Sequence, residues 1–227
     1  MSKPLLGLVT IGQTPRPDFE AVFARHAPGA TIRVMGALDG MSPDDVGALE
    51  DETDDYPLLV RLTNGATAEV PLWQIVPRVE ACARALAAEG ARLVVVLCAG
   101  DFPAFECKVP LLIPGQLLPT AVGALYPGRP IGVVTPIEGQ AKAAQAKWTR
   151  DGFDTVVAWA SPTKPDEIEA AATKVNGKDL ACVVLDCMGH DEAYRLEFAR
   201  RCGRPVLAAQ SLVARTAGRI LAPEAKP

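Results

Sequence analysis

Residues 93–101 read LVVVLCAGD, and residues 181–191 read ACVVLDCMGHD. Each stretch is a short apolar run that reaches a cysteine and then a glycine, and continuous apolar runs of this length are typical of parallel strands buried on both faces. A second pair of matching segments, GLVT at 7–10 and GVVT at 132–135, precedes them. The chain therefore contains two related halves, and each half has one thiol at the end of a predicted strand.

The composition is that of an ordinary globular protein. Of the 227 residues, 49% are hydrophobic and 22% are charged, and the formal net charge of −4 argues against a nucleic-acid partner, which needs a concentrated basic face. No apolar run is long enough to span a membrane, and the N-terminus lacks the pattern of a secretion signal. We therefore expect a cytoplasmic protein that does not bind membranes.

The cysteine and histidine content argues against disulfides and against a metal. Six cysteines without C-x-x-C spacing, in a chain of this size, indicate reduced thiols. The two histidines, His26 and His190, lie near no second thiol at metal-ligand spacing. We expect no metal site.

Strand-like and helix-like segments alternate along the chain, a pattern that predicts parallel sheets with helices on both faces. We predict two α/β domains, the first formed by residues 1–115 together with 208–227 and the second by residues 116–207. Asn64-Gly65 indicates a hairpin turn because both residues tolerate positive φ. A hairpin at about 56–71 is therefore expected as an insertion in the first domain.

The predicted strand ends indicate where a ligand binds. Ligands of parallel sheets bind beyond the carboxyl ends of the strands, and Thr10, Cys98, Thr135 and Cys187 are all predicted at such ends. We expect the site in the cleft between the domains. The helical run 141–147, in contrast, is interpreted as a surface helix with one apolar face.

A pair of thiols facing one cleft can transfer a proton at a carbon centre without a cofactor. Each acting thiol needs a neighbour or a helix dipole that favours the thiolate. Loss of a proton next to a carboxylate also creates an enediolate-like anion. Main-chain N–H groups in the turns after Cys98 and Cys187 are suited to stabilise that anion.

Four segments together resemble the AroM family: LVTIGQTPRPD at 8–18, CAGDFP at 98–103, GVVTP at 132–136 and LDCMG at 185–189. Through this family the chain is similar to the aspartate/glutamate racemase superfamily. The resemblance implies two pseudo-symmetric, doubly wound α/β domains with parallel sheets and an active site between them. It also implies cofactor-independent chemistry, since the superfamily includes amino-acid racemases, maleate isomerases and arylmalonate decarboxylases.

On this resemblance we expect a cofactor-independent racemase, epimerase or isomerase of a small, amino-acid-like carboxylate, with Cys98 and Cys187 as acid and base on opposite faces of the substrate. One alternative is a decarboxylase or cis–trans isomerase that uses Cys187 alone. Another is a small-molecule-binding protein without catalysis. That reading is favoured by Ala99 and Met188, which stand where the racemases usually carry polar residues that bind a carboxylate.

The partner expected for this site is a small-molecule carboxylate, and a homo-oligomer is compatible with the sequence. The expected substrate-binding residues follow the four strand ends or the first strand: Thr10, Gln13, Arg16, Ala99, Gly100, Thr135, Met188 and Gly189. Further candidates are Gln140 and Gln210 as ligands, and Asp101 and Phe102 as residues that close the pocket. Alternatively, Phe102 is an ordinary core residue, and Thr10 and Thr135 cap helices.

Three charged or titratable candidates have alternative roles. Arg16 either binds a carboxylate or pairs with an acidic neighbour such as Asp18. Asp186 either orients a thiol or bonds to local main-chain N–H groups. His190 either tunes Cys187 or lies at the start of the next helix as a capping or surface residue.

Overall fold

The computed structural model describes residues 3–51, 56–176 and 179–222. Two four-stranded parallel sheets form its frame. The first has the strand order β2 (Thr31–Gly36), β1 (Leu5–Thr10), β5 (Ala91–Val96) and β6 (Leu111–Leu112), and the second has the order β10 (Val206–Ala208), β9 (Val183–Leu185), β7 (Ile131–Thr135) and β8 (Thr155–Trp159). β1 and β5 of the first sheet correspond to β7 and β9 of the second, as the repeated sequences predict. The α/β fold with parallel sheets is therefore confirmed.

The first half contains two α/β units separated by a hairpin. Its elements are β1 (Leu5–Thr10), α1 (Pro17–His26), β2 (Thr31–Gly36), α2 (Pro43–Gly47), β3 (Pro57–Arg61), β4 (Thr67–Pro71), α3 (Leu72–Ala88), β5 (Ala91–Val96), β6 (Leu111–Leu112) and α4 (Pro114–Leu125).

The second half alternates strand and helix throughout. Its elements are β7 (Ile131–Thr135), a 3-10 turn (Glu138–Gln140), α5 (Ala141–Arg150), β8 (Thr155–Trp159), α6 (Glu167–Asn176), β9 (Val183–Leu185), α7 (Glu192–Cys202), β10 (Val206–Ala208) and α8 (Ala209–Leu221).

The hairpin forms as Asn64-Gly65 predicts. β3 and β4 pair in antiparallel register, with Arg61 opposite Thr67, and Gly65 has the positive φ of 86° that the turn requires. Residues 52–55, which precede it, lie outside the described part of the chain.

The two halves share part of one hydrophobic core. A single buried cluster contains Leu8 and Val95 from the first sheet and Val133 and Val184 from the second. The final helix, α8, follows the second sheet but packs on α1, α4 and β5 of the first half. The domain boundaries remain predictions of the sequence, and residues 223–227 of the predicted first domain are outside the described residues.

The expectation for the helical run 141–147 is wrong in one respect. α5 does have one buried face, but Lys147 lies on that face with only 1% of its surface exposed. A lysine is usually exposed on a surface helix because burying its charge costs free energy unless a partner compensates it. The partner is described below.

Within the described ranges, no helix is both long enough and apolar enough to cross a membrane.

Candidate active site

Two turns of the same geometry follow β5 and β9, the equivalent strands of the two halves. In the first, the Gly100 N–H donates to Cys98 Sγ at 3.3 Å. In the second, the Gly189 N–H donates to Cys187 Sγ, also at 3.3 Å. The duplicated sequence therefore gives a duplicated local structure, in which each sulfur is held by the main chain two residues later.

Both thiols line one cavity of about 230 Å³ at the carboxyl ends of the central strands. Other walls come from the loop after β1, the hairpin, and the segments after β7 and β8. The lining residues are Ile11, Arg16, Asp18, Phe19, Leu59, Val60, Arg61, Thr67, Leu97, Cys98, Ala99, Gly100, Pro136, Gln140, Pro162, Thr163, Asp186, Cys187, Met188 and Gly189.

Both thiols are protonated at neutral pH. Burial raises the pKa of Cys98 to about 12 and that of Cys187 to about 11, more than the N–H donors lower them. Each sulfur also has a cation that favours its thiolate: Lys147 lowers the pKa of Cys98, and Arg16 lowers that of Cys187. The negative charge of Asp186 acts in the opposite direction on both.

Lys147 connects the two cysteine turns. From α5 of the second half, its Nζ donates to the Ala99 carbonyl oxygen of the first half at 2.8 Å. The same Nζ lies 3.2 Å from Asp186 Oδ2, and Trp148 Nε1 donates to that oxygen at 2.8 Å. Asp186 precedes Cys187, so a buried ion pair bridges the segments that carry both thiols.

The side-chain hydrogen bonds of Asp186 in the described part of the chain match neither of its two interpretations. Its oxygens accept from the side chains of Lys147 and Trp148 and not from local main-chain N–H groups. Sequence reasoning missed both donors. The available signal was that Ala144, Lys147 and Trp148 recur at helical spacing, so the lysine falls on the apolar face.

Arg16 makes the salt bridge that the sequence suggested and lines the cavity as well. Its Nε and Nη2 donate to the two carboxylate oxygens of Asp18 at 3.0 and 2.7 Å. Its Nη1 donates to Thr10 Oγ1 at 3.1 Å, and its guanidinium lies 4.2 Å from the centre of the Phe19 ring. Thr10 is completely buried and does not line the cavity; its hydroxyl orients Arg16.

Two other predicted binding residues lie outside the cavity lining and support loops. The Gln13 amide nitrogen donates to the carbonyl oxygens of Leu38 and Met41 at 2.9 and 2.8 Å, and its oxygen accepts from the Thr63 N–H. The Thr135 hydroxyl donates to the Ile137 carbonyl oxygen at 2.9 Å. In contrast, Ala99, Gly100, Met188 and Gly189 all line the cavity.

His190 is neither a surface residue nor the helix cap. Asp191 caps α7 by accepting the Tyr194 N–H at 2.8 Å, whereas His190 is fully buried with its ring centre 4.4 Å from that of Tyr194. Burial lowers the pKa of His190 to about 4. Its Nε2 lies 2.9 Å from the Ala160 carbonyl oxygen, which can only accept, so the neutral ring carries its proton on Nε2.

The glutamine candidates hold neighbouring segments in place. Gln140 lines the cavity, and its amide nitrogen donates to the Pro57 carbonyl oxygen at 2.8 Å, which connects the second half to the hairpin. Gln210 donates to the Met188 carbonyl oxygen at 2.9 Å. Asp101 pairs with Arg150 at 2.8 and 2.9 Å and Phe102 is buried, and neither lines the cavity.

The hairpin covers one side of the cavity and is fixed to the loop after β1. The Gln13 N–H donates to the Arg61 carbonyl oxygen at 2.9 Å, and a Cβ on Gly12 would lie 2.2 Å from that oxygen. Leu59, Arg61 and Thr67 share the hairpin face that borders the cavity. In the described part of the chain, no group of three His, Cys, Asp or Glu side chains has the geometry of a metal site.

The sequence model of the AroM family, described as AroM protein, matches residues 6–221. The chain belongs to the AroM family. No curated protein sequence matches this AroM protein.

Solved structures at low sequence identity share the fold of this AroM protein. Arylmalonate decarboxylase matches with a TM-score of 0.65 at 16% identity, over 98% of this chain and 95% of the other. Glutamate racemase RacE1 from Bacillus anthracis matches with a TM-score of 0.63 at 12% identity, over 97% and 82%. The maleate isomerase Iso from Pseudomonas putida S16 matches with a TM-score of 0.63 at 10% identity, over 96% and 92%. The fold is therefore that of the aspartate/glutamate racemase group.

Proposed function

We propose that this AroM protein is a cofactor-independent racemase or epimerase of a small carboxylate, with Cys98 and Cys187 as the two acid–base groups. The observation that carries the proposal is that both sulfurs line one small cavity, on equivalent turns of the two halves. Racemases and an isomerase among the proteins with this fold support the same reaction class.

The chemistry requires one thiolate and one thiol at a time. A thiolate on one side removes the proton from the carbon next to the carboxylate, which leaves an enediolate-like anion. The thiol on the other side then donates its proton to the same carbon. One C–H bond breaks, one forms, and the two sulfurs exchange protonation states. Lys147 and Arg16, each beside one sulfur, favour the thiolate that the reaction needs on that side.

The test is exchange of the α-proton for solvent deuterium. Wild-type protein is incubated in D2O with amino acids, hydroxy acids and 2-substituted monocarboxylates, and exchange and optical rotation are followed. We expect Cys98→Ala and Cys187→Ala each to lower the racemisation rate by about 10²- to 10⁴-fold, the usual contribution of an acid–base group. Cys107→Ala, which alters a half-buried loop cysteine outside the cavity, is the matched control.

Other outcomes of the exchange experiment would favour the single-cysteine reaction or contradict the proposal. Activity that survives Cys98→Ala but not Cys187→Ala indicates the single-cysteine reaction. Exchange that is undiminished in both variants, or its absence in wild-type protein with every acid in the panel, contradicts the proposal.

A further inference from the structure

The charged residues that line the cavity are Arg16, Asp18, Arg61 and Asp186. An ionic substrate must find its partners among them, because a charged group in a mostly apolar cavity is costly to bury without a counter-charge. A charged residue that already has a partner in the protein is not available to a substrate. The charged residues without a partner therefore indicate which charges a substrate can carry.

Two of the four form a closed pair. Both carboxylate oxygens of Asp18 accept from the guanidinium of Arg16, and the remaining side-chain hydrogen bond of Arg16 is to the Thr10 hydroxyl. The side chain of Arg16 is only 12% exposed. A bidentate pair of this geometry is among the stronger side-chain interactions, and a ligand must break it before it can use either charge.

Asp186 is also neutralised from within the protein. Lys147 and Trp148 donate to its carboxylate, and its side chain is 3% exposed. Neither Asp18 nor Asp186 is therefore a free anion that could hold the ammonium group of an amino acid.

Arg61 alone of these four has no hydrogen-bond or ion-pair partner for its guanidinium among the described residues. It stands at the end of β3, opposite Thr67, on the hairpin face that borders the cavity. Its main chain is held by the Gln13 N–H and by the close approach of Gly12. The main chain of Arg61 is therefore fixed, and its exposed side chain carries the unpaired charge.

We propose that Arg61 binds the substrate carboxylate and that the substrate is a monocarboxylic acid with an uncharged, apolar substituent. This assignment rests on the proposed function for the type of reaction. It replaces the amino-acid-like substrate that the sequence resemblance suggests with an acid that carries no second charge. One unpaired cation matches one carboxylate, and a second carboxylate would find no further free cation in the lining.

The remaining walls suit such a substituent. Apolar residues make up most of the cavity lining, and they include Ile11, Phe19, Leu59, Val60, Leu97 and Met188. A cavity of about 230 Å³ holds a small molecule only. The polar neutral groups at its edge, Thr67, Gln140 and Thr163, carry no charge that would balance an ionic substituent.

The test is calorimetric titration of the full chain with 2-methylbutanoate and phenylacetate, and with succinate and glutamate as comparators. We expect the two monocarboxylates to bind more tightly than either comparator. Arg61→Met should weaken their binding by about tenfold or more, because it removes a charge-assisted contact, and Arg61→Lys should restore part of it. Arg92→Met is the control, since Arg92 is an exposed arginine at the opposite end of β5.

Three results would overturn the assignment: equal affinity in Arg61→Met and wild type, tighter binding of succinate or glutamate, or no binding of either monocarboxylate. Binding needs neither thiol, so Cys98→Ala/Cys187→Ala should retain it. If the monocarboxylates bind through Arg61 but no acid exchanges its α-proton, the proposed function fails while this assignment stands. If α-proton exchange occurs and Arg61→Met leaves its rate unchanged, the Arg61 assignment fails while the proposed function stands.

Discussion

The resting state of each cavity cysteine is the neutral thiol, although a cation lies near each sulfur. Burial removes water from a charged sulfur more effectively than main-chain N–H donors replace it, so the pKa values rise to about 12 for Cys98 and about 11 for Cys187. An ordinary thiol has a pKa of about 8.5. The two sulfurs are therefore poor nucleophiles in the empty cavity at neutral pH.

This state predicts how alkylation depends on pH. Only the thiolate reacts, and its fraction rises about tenfold per pH unit below the pKa. We expect iodoacetamide labelling of Cys187, followed by peptide mass spectrometry, to keep rising from pH 7 to pH 10, with Cys98 slower at every pH. Levelling off near pH 9, as for an ordinary thiol, would contradict the raised pKa values. Cys182, fully buried and outside the cavity, should remain unlabelled and is the internal control.

At the level of residues, sequence reasoning located the thiols but not their surroundings. Cys98 and Cys187 could be found because each ends an apolar run that the other half repeats. The helical spacing of Lys147 indicates the apolar face of α5, but its partner Asp186 could not be predicted, since it lies 39 positions away in the chain. His190 was placed at a helix start, where polar residues are usually exposed. Its burial depends on the Ala160 carbonyl oxygen, 30 positions away.

At the level of elements, the hairpin determines the shape of the cavity, and its docking requires a glycine. A Cβ at position 12 would lie 2.2 Å from the Arg61 carbonyl oxygen. β3 therefore approaches the loop after β1 more closely than any other residue type would allow. The hairpin itself is predictable from Asn64-Gly65, but its docking is not, because it depends on a contact between distant segments.

Gly12→Ala should displace the hairpin. We expect a loss of roughly 1–3 kcal/mol in the free energy of unfolding, as for other substitutions that overpack a tight contact. Urea denaturation measures it. Gly29→Ala is the matched control, because a Cβ there meets no atom within 4 Å. Equal stability of the two variants would show that the Gly12 contact does not hold the hairpin.

Elements with a clear sequence pattern form where they are predicted. The four strands expected from the repeated segments are present as β1, β5, β7 and β9. β6 was missed because two residues, Leu111–Leu112, are too few to show a period, and the segment before them is rich in proline.

At the level of the whole molecule, the buried pair of Lys147 and Asp186 connects the halves. Lysine from α5 bonds to the Ala99 carbonyl oxygen in the first half and to the carboxylate beside Cys187 in the second. Such a pair is costly to separate, since the partner left behind is a buried, uncompensated charge. It therefore fixes the position of one cysteine turn relative to the other.

Lys147→Met should lower the free energy of unfolding by about 3–5 kcal/mol, the usual cost of removing one member of a buried pair. Lys147→Met/Asp186→Leu should recover part of that loss, because no isolated charge remains. Chemical denaturation of wild type, these two variants and Asp186→Leu gives a double-mutant cycle, which measures the coupling free energy of the pair. Lys164→Met, which removes a surface pair with Glu167, should change stability by less than about 1 kcal/mol. A single variant as stable as wild type would rule out the bridge.

In the proposed reaction the duplicated turns place one thiol on each side of the substrate, but the hairpin belongs to the first half only. For the proposed reaction the equilibrium constant between mirror-image forms is one, so the Haldane relation requires equal kcat/KM for the two enantiomers. If the two sides of the cavity differ, kcat and KM can therefore differ between the enantiomers only by the same factor. A hairpin inserted in only one of the two halves thus allows the protein to bind one enantiomer more tightly without changing the 1:1 ratio of enantiomers at equilibrium.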